Sequence, residues 1–248
     1  MKLYTLLLIA IIPAKPGFAD VATAAKETLP VVEILQQFHP QNLEDCAVLA
    51  IGGPELMRYS LVSDFIETQI LELAYVDHGL SYADFSIGKF QMKPSFVERL
   101  ELEICRRPGL RTKYDQLVSY QSATTKGIRE DRLERIKSSV FQKLLMSAFY
   151  DYCHQEYCEY LDKQPISTVV AFIGTTYNLG FDHSVDQILD YQRLRRFPYG
   201  ANFHGEQYAY GALSAEIYKQ LIKSLCKSTL STSSQDCYSG PVRNHCPS

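Results

Sequence analysis

The sequence contains no tryptophan, no large excess of either charge and no apolar run long enough to cross a bilayer. Its 25 Lys and Arg stand against 28 Asp and Glu, a formal net charge of -3. That leaves no broad positive field to hold nucleic-acid phosphates, so nucleic acid is not an expected partner. Glycine (13) and proline (11) are scattered through 248 residues, which excludes collagen-like, low-complexity and disordered architectures. What is present is 46% apolar residues, with the aromatics carried by 17 tyrosines and 12 phenylalanines. A chain of this length and composition can bury one large core, and a single globular body is expected.

The N-terminus reads Met1-Lys2, an apolar stretch from Leu3 to Pro13, then Gly17-Phe18-Ala19 before Asp20. A positive start, a short apolar run and small residues ahead of the break form the pattern of a cleavable secretory signal over residues 1–19. An exported protein of the periplasm or extracellular space follows, with no stable membrane insertion. No cysteine near the break indicates a lipid anchor. The seven cysteines, at 46, 105, 153, 158, 226, 237 and 246, are expected to form disulfides in an oxidising compartment, with at least one left over. Zinc is the rival use, through Cys153-His154 with Cys158 or through His245-Cys246. The spacing is not that of a finger or ribbon, so no metal and no cofactor are expected.

Apolar residues recur at three- and four-residue steps over Leu61 to Ala74 and Ile128 to Phe149, and further helices are expected at Val31 to Phe38, Ser167 to Asn178, Val185 to Arg195 and Ser214 to Leu225. Few stretches alternate as strands do, so the fold class is mainly α. The charges Arg129 to Arg135 read as a solvated helix face. Breaks are expected at Pro54, Pro94, Pro108-Gly109, Pro165 and Pro198 to Gly200. Residues 20–226 form the domain, and 227–248 form a polar, cysteine-containing C-terminal tail.

Three segments carry residue types suited to chemistry. In Gly52-Gly53-Pro54-Glu55-Leu56-Met57-Arg58-Tyr59-Ser60, a carboxyl follows the apolar run Cys46 to Ile51 and abuts Leu56 and Met57. Such surroundings favour the neutral carboxyl that a general acid needs; the plainer alternative is a glutamate at a helix start. In Phe85 to Phe96, Gly88 allows close backbone approach and Gln91, three residues on, offers an amide donor and acceptor beside Met92. Gln91 could equally cap a backbone group of its own loop. In Ala171 to Phe181, a helix runs into Tyr177-Asn178-Leu179-Gly180, with Gly180 suited to a left-handed helix cap.

The order Glu55, then Gly88-x-x-Gln91-Met92-x-Pro94, then Tyr177-Asn178-x-Gly180 resembles the lysozyme-like superfamily, specifically the soluble lytic transglycosylases with a goose-type-lysozyme-like catalytic domain. The resemblance covers about Cys46 to Phe181 and implies a lysozyme-like helical domain with a cleft for peptidoglycan glycan strands. It implies Glu55 as catalytic acid/base, Gly88, Gln91 and Met92 as the cleft turn, Tyr177 and Asn178 beside the cleaved sugar, and no cofactor. The family follows its glutamate directly with serine. Here Leu56 occupies that place, and Ser60 is the nearest serine, counted with the substrate-binding residues. Glu67, followed by Thr68, is a competing acid. The chemistry implied is cleavage of the MurNAc–GlcNAc β-1,4 bond with closure of a 1,6-anhydro ring; a hydrolytic muramidase and a non-catalytic glycan-binding or envelope structural protein are the alternatives. No convincing second carboxylate accompanies Glu55, Asp64 and Asp84 being the nearest candidates. Tyr199, Tyr208 and Tyr210 read as core or rim residues, or as the lining of a sugar subsite.

Overall fold

The computed structural model describes residues 18–59, 65–198 and 206–230, with side chains described over 24–57, 71–198 and 206–227. Thirteen helices follow one another within these residues. They are α1 (Phe18–Gln36), α2 (Leu43–Gly52), α3 (Glu55–Tyr59), α4 (Phe65–His78), α5 (Pro94–Arg106), α6 (Pro108–Lys113), α7 (Asp115–Val118), α8 (Thr125–Lys137), α9 (Ser139–Glu156), α10 (Cys158–Leu161), α11 (Ile166–Leu179), α12 (Val185–Gln192) and α13 (Tyr210–Leu230). The expected mainly α class is what the chain adopts. Among the described residues the only β features are two isolated antiparallel bridges, Ile87–Met92 and Phe197–Tyr208. No helix among them is long and apolar enough to cross a membrane.

The prolines act as starts more than as stops. Pro94 and Pro108 occupy the first turns of α5 and α6, where the missing N–H costs nothing, and Pro165 caps α11. Helix α5 was not expected, because Pro94 read as a break; yet its apolar stripe Val97, Leu100 and Ile104 is fully buried. Its N-terminus is capped from outside by Asp84, which accepts from the Ser95 backbone N–H at 3.0 Å and from the Ser95 hydroxyl at 2.8 Å. Asp84 therefore serves the helix start, which is a structural use of the carboxylate weighed as a second catalytic group.

The single helix expected over Ile128 to Phe149 is two. Ser138, at φ -77° and ψ 122°, is extended and separates α8 from α9. The solvated face expected of α8 also has an exception. Arg132 is buried at 7% exposure because it is fully paired, its Nη2 lying 2.6 Å from Glu101 Oε2 and its Nη1 2.6 Å from the Tyr75 hydroxyl.

The core is centred on α2, whose residues Cys46 to Gly52 are all buried. Helix α2 packs against α9, α11 and α13, and α13 packs in turn on α1 and α11. Close approach of α11 to α13 depends on two glycines. A Cβ at Gly174 would overlap the Ser214 side chain, and one at Gly211 would overlap the Ala171 carbonyl. Ser214 Oγ donates to the Ile51 carbonyl at 3.3 Å, holding the end of α2 to α13 just before the segment that carries Glu55. Helix α13 runs to Leu230, past Lys227 where the tail was expected to begin, and residues 231–248 lie outside the described residues. So do residues 1–17 of the expected signal, and Ser60 and Asp64.

Cys46, Cys105 and Cys153 are free thiols. No pair forms among these three, Cys158 is disulfide-bonded, and Cys237 and Cys246 lie outside the described residues. Burial pushes the Cys46 thiol up to about 11, helped by the neighbouring Asp45 carboxylate, and pushes Cys153 well above its ordinary value. Both are held as protonated thiols, which is the wrong state for a nucleophile.

Candidate active site

Helix α2 ends at Gly52, and Gly53 and Pro54 turn the chain into the short α3 that opens with Glu55. The turn is closed by backbone bonds from Leu56 N–H to the Gly53 carbonyl and from Met57 N–H to the Pro54 carbonyl, each 3.0 Å. Gly53 fits because Ile217 of α13 and Leu35 of α1 crowd its α-carbon, at 3.0 and 3.1 Å from where a Cβ would stand. Glu55 itself is 5% exposed and Leu56 4%. Its neighbours Pro54 and Leu56 are buried as well.

The second segment is a tight reversal between α4 and α5. Ile87 and Met92 exchange both backbone hydrogen bonds, at 2.9 and 3.0 Å, and residues 88–91 form the loop. Gly88 has φ +72° and Gln91 has φ +50°. A positive φ is routine for glycine and uncommon for glutamine. Gln91 secures its own conformation, its Nε2 donating to the Gly88 carbonyl at 2.9 Å, and the amide keeps a second hydrogen to offer. Met92 is a core residue at 1% exposure. It joins the turn through its backbone bonds to Ile87. Phe90 is likewise fully buried, while Phe96 packs with Phe149, Tyr177 and Phe181 at ring-centroid separations of 5.1 to 5.3 Å.

The third segment closes α11. Tyr177 and Asn178 are half-buried, and Gly180 caps the helix by donating its N–H to the Thr176 carbonyl at 2.8 Å. Its φ of +107° is positive as expected, but with ψ at -174° the residue is extended and not left-handed helical. The Asn178 Oδ1 accepts from the Tyr191 hydroxyl of α12 at 3.4 Å.

These segments converge on Phe90. The Tyr177 hydroxyl donates to the Phe90 carbonyl at 2.8 Å. The Phe90 ring covers the end of α2, for a Cβ at Gly52, three residues before Glu55, would stand 2.9 Å from its Cδ1. Met57 and Tyr177 in turn pack against the cluster of Phe197, Tyr210 and Leu213, beside the half-buried Tyr208. Two of the three tyrosines Tyr199, Tyr208 and Tyr210 thus border the Glu55 helix, with Tyr210 in the core and Tyr208 at the rim; Tyr199 lies outside the described residues. Glu67 falls within α4, and its side chain is not among those described.

Sequence reasoning missed one residue that the turn depends on. Gln142 of α9, 1% exposed, reaches the turn with both ends of its amide. A lone glutamine on an amphipathic helix carries no signal of such a task. Two concavities, one lined by Glu156 to Lys163 with Val185 and the other by Gln36 to Gln41 with Leu221 to Leu225, include none of Glu55, Gln91, Tyr177 or Asn178. Among the described residues no group of three or more His, Cys, Asp or Glu side chains is arranged to hold a metal ion. Comparison with family models, curated proteins and solved structures finds no match to this chain.

Proposed function

We propose that this protein cleaves the glycan strands of peptidoglycan as a lytic transglycosylase, with Glu55 as its acid/base. The observation that carries the proposal is the meeting at Phe90. Segments centred on Glu55, Gly88–Gln91 and Tyr177–Asn178, spread over more than a hundred residues, share one small region through the Tyr177–Phe90 bond and the Phe90–Gly52 contact. A turn stabilised at positive φ, an amide with a hydrogen to offer, a phenol and a buried carboxyl suit a neutral polymer bearing hydroxyls and acetamido groups.

The chemistry then follows from one carboxyl. Glu55 gives its proton to the glycosidic oxygen as the bond from that oxygen to C1 of MurNAc breaks, leaving an oxocarbenium-like sugar. The resulting carboxylate takes the proton of the same sugar's 6-hydroxyl, whose oxygen bonds to C1 and closes the anhydro ring. Glu55 ends protonated, ready for another turnover, and no second carboxylate is needed. Glu55 is buried at 5% exposure, which keeps bulk water from competing for the proton it transfers.

The test is to incubate the purified protein and its Glu55→Gln variant with peptidoglycan and to weigh the released muropeptides. Anhydro products from the wild type alone are expected. Reducing-end products would make it a hydrolytic muramidase. Retained binding with no release by either protein would leave a glycan-binding protein, and equal release by both would remove Glu55 from the chemistry and return attention to Glu67.

A further inference from the structure

We infer that Gln142, which lies outside all three segments, is the positioning residue that fixes the Gly88–Gln91 turn and thereby sets the grip on the ligand. The ligand's identity as a glycan rests on the function proposed above; the effect on the turn does not. A four-residue loop with two positive-φ positions has little stability of its own. Ile87 and Met92 pair at its base, and inside it the Gln91 N–H and Nε2 both donate to the Gly88 carbonyl, but the Phe90 N–H has no partner within the turn. Gln142 supplies that partner and a second tie: its Oε1 accepts from the Phe90 N–H at 3.4 Å, and its Nε2 donates to the Ile87 carbonyl at 3.2 Å beside the bond from Met92.

The remaining Nε2 hydrogen goes to the Ile136 carbonyl at 2.6 Å, one of the groups left unsatisfied at the C-terminal end of α8. The break at Ser138 is what brings this about. It ends α8 so that Ile136 presents a carbonyl, and it starts α9 so that Gln142 falls in the second turn, facing both Ile136 and the loop. One amide therefore pins the loop to the α8–α9 corner, using both of its donor hydrogens and its acceptor. No other uncharged side chain of that length offers this set. Gly88 fits the same account. Beyond its φ of +72°, a Cβ there would overlap the Gln142 amide, and that amide is held at the turn by three hydrogen bonds.

The experiment compares Gln142→Met, which keeps length and apolar bulk, with Gln142→Glu, which keeps an acceptor for the Phe90 N–H. Backbone amide exchange is followed residue by residue, and KM and kcat are measured on soluble, uncross-linked glycan strands. In Gln142→Met, exchange at Phe90 and Met92 is expected to quicken about tenfold, the scale conveyed by a lost buried hydrogen bond, with the other helices unchanged. KM should rise by about the same factor while kcat moves much less, since Gln142 touches no reacting atom. Gln142→Glu should fall between the two proteins.

Unchanged exchange at residues 87–92, or faster exchange spread evenly over all helices, would overturn the inference and make Gln142 an ordinary core residue. Should Gln142→Met fail to fold, the exchange pattern of Gln142→Glu decides between the same outcomes. Local quickening in a protein whose wild type neither binds nor cleaves peptidoglycan upholds Gln142 as the shaper of the turn and overturns the glycan reading alone.

Discussion

Arg132 of α8 grips Glu101 of α5 with two nitrogens. Its Nε lies 3.1 and 3.2 Å from the two carboxylate oxygens and its Nη2 2.6 Å from one of them, with both residues under 10% exposed. Tyr120 also donates to Glu101, and Glu98 accepts from Arg132 at 3.0 Å. Removing the cation leaves a buried carboxylate with the Tyr120 hydroxyl in place of a counter-charge, so Arg132→Met should cost about 3–5 kcal/mol in urea unfolding. Arg132→Met combined with Glu101→Met should recover much of that loss. A double variant as unstable as the sum of its parts would contradict the pairing.

The Tyr177 hydroxyl can be tested apart from its ring. Tyr177→Phe keeps the edge-to-face contacts with Phe96 and Phe149, at 5.1 and 5.7 Å, and removes the hydroxyl that donates to the Phe90 carbonyl. A loss of about 1–2 kcal/mol in unfolding free energy is expected. Glycan turnover should fall further than stability does, because the bond ties α11 to the turn. Tyr177→Leu should cost more in the same unfolding assay.

His154 gives the protein an acid sensitivity that can be read from melting temperatures. Its Nε2 is buried with no hydrogen-bond partner and its ring lies 4.4 Å from that of Tyr150. Burial holds its pKa below the ordinary 6.5, against the opposing pull of Asp151, Asp162 and Glu44. The unfolded chain therefore takes up a proton that the folded chain refuses. The His154 contribution is complete above pH 6.5 and is lost as pH falls from there through the folded-state value, at up to about 1.4 kcal/mol per pH unit inside that window. Melting curves from about pH 8 to about pH 5 should show this slope in the wild type and a shallower one in His154→Phe.

Two glycines make a matched pair. Gly211→Ala drives a methyl into the Ala171 carbonyl and should cost about 1–3 kcal/mol, since backbone cannot step aside. Gly109, inside α6, has nothing within 4 Å of the place an alanine methyl would take. Gly109→Ala should stabilise by about 0.5–1 kcal/mol through helix propensity alone. Chemical denaturation of both variants checks the contrast, and a destabilising Gly109→Ala would refute it.

Periodicity exposed the helices with one dominant apolar stripe, and α11 lies within a residue of the expected Ser167 to Asn178. It failed where polar contacts decide. Ser138 divides α8 from α9 without any change in the apolar pattern around it, and Arg132 is buried amid a charge run that reads as solvated. Proline chemistry misled at Pro94, because a residue that cannot continue a helix is well suited to begin one. Of the candidate site, Glu55, Gly88, Gln91 and Tyr177 were legible as residue types in a set order. Their meeting point was not, because it runs through the Phe90 carbonyl, a backbone atom that no motif names. Gln142 was invisible for a related reason: its partners are backbone groups of Ile87, Phe90 and Ile136, which any sequence would supply.

The packing of α13 has a consequence for the order in which the chain becomes a protein. Helix α1 is joined to it by Gln220, which donates to the Ala25 carbonyl and the Thr28 hydroxyl at 2.9 Å each, and by the contact of Gln36 with Ser224. Helix α2 is joined to it through Ser214. Helices α1 and α2 thus find this partner only 195 and 163 residues further along the chain, and until then α2 lacks one of the three helices that cover it. Synthesis alone cannot lock this chain, so a translocation machine that accepts only unfolded polypeptide would meet it still open, and a truncation within α13 should yield an aggregating product instead of a smaller stable domain.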